Sequence, residues 1–169
     1  YKIALTELAK AAIHESGINL LSDRKNINRT PEEQQPAVYQ DITASVSQRV
    51  LLEKAEMLLE KALEYPLNLG EGRLEGTKDN HIWYCLGVVR KALGRTAEAV
   101  ECFEKAALGE NEPAGVMYYY DQPADMIFYK GLAKEELGDE KAAYACFNKL
   151  MDYGERHVYD KAKNDFFAV

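Results

Sequence analysis

The sequence predicts an all-α protein, a short right-handed superhelix of helix-turn-helix hairpins with extended loops between the repeats. Three observations carry that expectation. Segments 52–64 "LEKAEMLLEKALE", 96–108 "TAEAVECFEKAAL" and 140–152 "EKAAYACFNKLMD" superpose, with Ala55, Ala99 and Ala143 at intervals of 44 residues and Leu59, Phe103 and Phe147 at the same interval. A fixed period of this size signals stacked repeats, each of which needs a neighbour to bury its apolar face. Within each segment a small residue is followed four positions later by a bulky one and three later by Ala62, Ala106 or Leu150. That spacing lines one face of a helix and leaves a narrow seam for a close neighbour. Finally, "ALGRTAEA" and "ELGDEKAA" place Gly94 and Gly138 where one helix ends, followed by Thr96 and Asp139 as N-caps of the next.

Taken in order, residues 1–16 carry Ile3, Leu5, Leu8, Ala12 and Ile13 on a helical face, and Gly17 stops that helix. Residues 1–50 as a whole are the irregular N-terminal part. They contain a polar, proline-bearing loop at 17–36 whose Thr30, Pro31 and Glu33 form a capping-box-like start. From Ala37, Val38, Ile42, Val46 and Val50 recur every four residues, with no Gly or Pro until Pro66. Residues 37–65 are therefore either one long helix or a further hairpin broken near 45–49. The long helix is preferred, because the break lacks turn residues. The repeats occupy 51–153. Beyond them, Val158, Ala162 and Phe166 lie at helical spacing, and residues 154–169 are expected to form a helix capping the stack. The chain starts at Tyr1 without methionine and ends on "NDFFAV", and it reads as one domain of a longer protein.

Trp83, Leu86, Gly87, Ala99, Phe103 and Ala106 fall at the spacings of a Trp-x-x-Leu-Gly helix followed by an Ala-x-x-x-Phe helix. In this the chain resembles the tetratricopeptide repeat family. Arg90 departs from the aromatic usual at its position, and the next hairpin keeps Gly131, Gly138, Ala143 and Phe147 but has Ile127 and Lys130 at earlier signature places. The family repeat is about 34 residues long, so the 44-residue period implies insertions at "YPLNLGEGRLEGTKDN" and "GENEPAGVMYYYDQPAD". Those two stretches, with the hairpins between them, also resemble the C-terminal repeat region of a family of large bacterial proteins of unknown function. In that family a larger N-terminal region with suspected carbohydrate-related roles precedes the helical tail.

Composition narrows the function. The 28 acidic residues outnumber the 21 basic ones, for a formal net charge of −7, which argues against nucleic acid and against a polybasic membrane contact. No apolar run approaches the roughly 20 residues that span a bilayer. No secretory signal opens the chain, so a cytoplasmic location is expected. Cys85, Cys102 and Cys146 lie too far apart for a ligand pair and are expected as buried free thiols. His14, His81 and His157 sit on different elements and are given surface or capping roles. Nucleophile-elbow, phosphate-loop and zinc-helix motifs are not found. "LGEGRLEG" lacks the preceding strand and the glycine spacing of a dinucleotide fingerprint. No catalytic, cofactor or metal residue is assigned.

Two binding surfaces remain. The inserted loops emerge on one edge of a right-handed stack and bring Glu71, Arg73, Asp79 and His81 beside Tyr118, Tyr119, Tyr120 and Asp121. They either pack on one another, dock against the rest of the parent protein, or form a ligand site. The concave surface draws on the first helix of each hairpin, through Tyr84, Val88, Lys91, Phe128, Leu132 and Glu135, and suits a peptide. The expected function is a non-catalytic scaffold for a protein, a peptide or another domain of the parent chain. The alternative is an accessory domain completing a carbohydrate site.

Overall fold

A computed structural model describes residues 1–20, 46–66, 78–113 and 123–160. Among these residues all regular structure is helical: α1 (Lys2–Glu15), α2 (Val46–Leu63), α3 (Asn80–Ala92), α4 (Thr96–Ala106), α5 (Ala124–Glu136) and α6 (Glu140–His157). α1 packs on α2, α3 on α4 and α5 on α6, giving three antiparallel hairpins. α2 then packs on α3 and α4 on α5, while α1, α3 and α5 are neighbours along one side. This is an all-α superhelix of hairpins, with α1, α3 and α5 as its inner row. No helix among the described residues is long and apolar enough to cross a membrane.

The inner helices all end in the same way. After α3 the Gly94 amide donates to the Lys91 carbonyl at 3.0 Å and the Arg95 amide to Arg90 at 2.9 Å. After α5 Gly138 and Asp139 repeat this with Glu135 and Lys134, each at 2.9 Å. The paired bonds are those of a Schellman cap, which needs a left-handed residue, and Gly94 and Gly138 take φ of 81° and 78°. α6 then starts at Asp139, whose carboxylate accepts from the Ala142 amide at 3.1 Å. Thr96, expected as the N-cap of α4, is instead its first helical residue. Arg95 holds the cap position without a side-chain bond, because a guanidinium offers no acceptor to the amides of the first turn; it donates to Glu56 instead.

The repeated small and bulky residues form the core. Ala55, Ala99 and Ala143 are buried, as are Leu59, Phe103, Ala62 and Ala106. Phe147 and Leu150 are only half-buried, because α6 is the last described helix and packs on α5 alone. Glycine makes the close seam within each hairpin. A Cβ on Gly87 would lie 2.5 Å from Phe103 Cε1, and one on Gly131 would lie 2.5 Å from Phe147 Cε1. The rings occupy the space a side chain would take. The three thiols are buried and unbridged, and burial pushes Cys85 up to about 12, where a thiolate nucleophile does not form near neutrality.

The first hairpin pairs α1 with α2, a pairing the sequence reading did not make. α1 closes with the same cap, Gly17 to His14 at 3.0 Å and Ile18 to Ile13 at 3.3 Å, but the described part of α2 begins only at Val46. Three residues separate the paired helices in the other two hairpins; between α1 and Val46, residues 21–45 lie outside the described residues. Residues 37–45 of the expected long helix, and most of the 17–36 loop, lie outside the described residues. Of the expected capping helix at 154–169, residues 154–157 belong to α6, which runs unbroken through Gly154 to His157. Gly154 faces open space there. Residues 161–169 lie outside the described residues.

Candidate functional site

The inner row sets an aromatic cluster at its centre. Tyr84 of α3 is 4 % exposed, and its ring meets Phe103 at 5.9 Å and Tyr129 at 5.8 Å. Its hydroxyl donates to the Leu20 carbonyl at 2.9 Å, and burial holds that hydroxyl well above its ordinary pKa. Phe128 of α5 is half-buried between Tyr129, edge-on at 5.7 Å, and Phe147 at 6.0 Å. Leu132 is buried and Val88 half-buried. Lys91 and Glu135 are exposed, and Lys91 pairs with Glu136, not Glu135, at 2.6 Å. Of the six expected concave-face residues, Tyr84 and Leu132 serve the core, while Val88, Lys91, Phe128 and Glu135 keep accessible surface.

Sequence reasoning missed Lys10 and Tyr129 at this face and assigned His81 to the loop edge alone. The Lys10 ammonium lies 5.6 Å from the Tyr129 ring centre, within reach of a cation–π attraction. Burial opposes its charge, but Glu7 at 2.9 Å and Tyr129 hold its pKa above the ordinary value. His81 stacks near Tyr129 at 6.0 Å, with Nδ1 3.2 Å from the Met126 sulfur, and its burial lowers its pKa. Lys10 was legible only to a reading that paired α1 with α2. Tyr129 stands beside Phe128 at the position its helical turn brings toward α3.

On the loop edge, the described residues act as fasteners. Asp79 is 6 % exposed and pairs at 2.8 Å with Lys2, which also donates to the Tyr65 hydroxyl at 2.7 Å. Asn80 donates to the carbonyls of Ala106 at 2.7 Å and Leu108 at 2.9 Å, closing the end of α4. The buried Lys130 ammonium donates to the Gly109 carbonyl in the same region, so cationic charge meets the negative end of α4. Burial lowers the Lys130 pKa. A cavity of about 200 Å³ lies nearby, lined by Lys130, Lys134 and Cys146 among others. Asp79 and His81 are thus placed, whereas Glu71, Arg73, Tyr118, Tyr119, Tyr120 and Asp121 lie outside the described residues.

Repeated hairpins with a glycine-to-phenylalanine interlock and glycine-capped turns define a helical-hairpin repeat domain. The family model for the tetratricopeptide repeat matches residues 81–108, the span of α3 and α4. No solved structure matches the chain. Tetratricopeptide repeats generally mediate protein–protein interaction, are generally non-catalytic and typically take a protein or peptide partner.

Proposed function

We propose that the protein is a non-catalytic scaffold whose inner row, α1, α3 and α5, receives a peptide or another domain of a longer parent chain. The observation that carries this reading is the mixed surface around Tyr129. Val88 and Phe128 are half-buried, and Lys91, Glu135 and Glu136 on the same two helices are exposed, all on helices locked by tight seams. A rigid platform of apolar centre and charged rim binds with little loss of its own freedom. The loop residues Tyr118, Tyr119 and Tyr120 would carry the carbohydrate alternative, and no described feature favours it. The narrower likeness to the tail of large bacterial proteins likewise rests mostly on those loops.

The test uses a random-peptide display library panned on the protein. Selected peptides are expected to bind the Val88→Glu and Lys91→Glu variants at least about tenfold more weakly, as for substitutions at a binding centre. Peptides that bind both variants as well as the parent, with thermal midpoints unchanged, would overturn the reading.

A further inference from the structure

The second and third hairpins pass from the capping glycine directly into the outer helix, and the residues after it, Arg95 and Asp139, become N-caps. In the first hairpin the corresponding residue is Ile18, and the chain does something else. Ile18 and Leu20 pack half-buried against the core cluster, and the Leu20 carbonyl takes the hydroxyl of Tyr84. On the α2 side Gln48 Nε2 donates to the Ser16 carbonyl at 3.1 Å, which fixes where the chain leaves α1. A non-helical stretch of this chain therefore lies on α3, held by a side chain that reads a main-chain carbonyl.

A hydroxyl aimed at a backbone carbonyl recognises the main chain and not a particular residue, as in the capture of extended peptides. Tyr84 is on the inner row, where the partner is expected. We propose that residues 18–20 are an internal ligand of this face: they fill the position at which α3 binds the backbone of an extended apolar segment, and a partner must displace them. This rests on the scaffold reading above and adds regulation to it. Ile18 and Leu20 are half-buried, and Asn19 between them is exposed. Tethering gives the segment an effective concentration on the order of millimolar, so weak contacts suffice to exclude a free peptide of similar affinity.

The probe is a synthetic peptide of residues 16–21, SGINLL, acetylated and amidated, added to the whole chain. Leu20→Asp is expected to raise its affinity at least about tenfold over the parent, the gain from removing a tethered competitor. Adding Tyr84→Phe, which keeps the ring and removes the donor, should abolish that gain. Equal or absent binding to parent and folded Leu20→Asp overturns the proposal. Should Leu20→Asp lose its helical circular dichroism, amide exchange on the parent decides instead. Exchange at residues 18–20 through an opening that leaves α3 protected supports displacement, and exchange only with global unfolding overturns it. Library peptides that remain sensitive to Val88→Glu when SGINLL shows no gain would sink the internal ligand alone. Loss of both responses would sink the scaffold reading too.

Discussion

Gly87 and Gly131 show how single atoms set the repeat. Each faces a phenylalanine ring with no room for a Cβ, so Gly87→Ala must push Phe103 away from a filled core. The expected loss is about 1–3 kcal/mol, read as a lower denaturant midpoint at unchanged slope. A double-mutant cycle with Phe103→Leu should recover part of it, because the smaller side chain makes room, and strict additivity would refute the clash. Arg90 is the residue where the family pattern breaks, and its surroundings explain why the break is tolerated. Its guanidinium meets Glu56 at 3.0 Å and Glu60 at 2.9 Å, with Glu98 at 3.8 Å, so an ion network takes the space of an aromatic. The departure was visible in the sequence. Its partners were not, since Glu56 and Glu60 reach Arg90 only through the packing of α2 on α3.

His81 belongs to the same scale. Burial, with Lys10 and Lys2 nearby, lowers its pKa against the opposing pull of Asp79 and Asp125, and Tyr129 and Met126 cover it from α5. A histidine with a depressed folded pKa contributes stability that is complete above its unfolded value of about 6.5 and is lost as pH falls through the folded value. The parent should therefore lose more unfolding free energy than His81→Gln between pH 7.5 and pH 5, by chemical denaturation at both. Equal losses would show that His81 titrates as it does in the unfolded chain.

Among the elements, α1 carries the main correction to the sequence reading. The second helices of all three hairpins were legible because Ala, a bulky residue and a further apolar one recur at 44-residue intervals. The α1 stop at Gly17 was legible from glycine alone. Its pairing with α2 was not, because the long connection puts α1 out of that register and no local pattern reports which distant helix fills a seam. If α1 is an integral inner helix, Ile13→Ala should cost about 2–5 kcal/mol, comparable with Leu59→Ala, since both side chains are fully buried. Both variants should also retain one cooperative transition. An Ile13→Ala change without effect on the midpoint would make α1 an appendage. The loop edge was legible only as two insertions; its described part, Asp79 and Asn80, proves to be hydrogen-bonded structure.

Across the whole molecule, burial declines toward the last hairpin. α3 and α4 are flanked on both sides, while α6 buries only Ala143 and Cys146 and exposes Tyr144 and Met151, with Val158 and Tyr159 exposed just beyond it. In a stack whose stability is a sum of repeat and neighbour terms, an end with one neighbour opens first. Native-state hydrogen exchange should show the α6 amides opening at least about 1–2 kcal/mol below those of α3. Equal protection through both would mean that something covers the exposed face of α6 in solution. The same sum explains why the fold was readable from short segments, since each hairpin needs only its own seam and one neighbour. The surface of the inner row was harder to read, because it is assembled from helices of three hairpins.

The glycine cap that ends α1, α3 and α5 has a consequence for how such a chain can change. The cap is complete once the third residue past the helix has donated its amide, so it is indifferent to the residues beyond that point. The seam between the two helices is fixed by side chains remote from the turn. Hairpin identity and hairpin connection are thereby separable, and a segment of any length after Ile18 leaves the cap of α1 complete. The equivalent junctions after Arg95 and Asp139 are built alike, and they are where a foreign segment would be spliced with least disturbance to the fold.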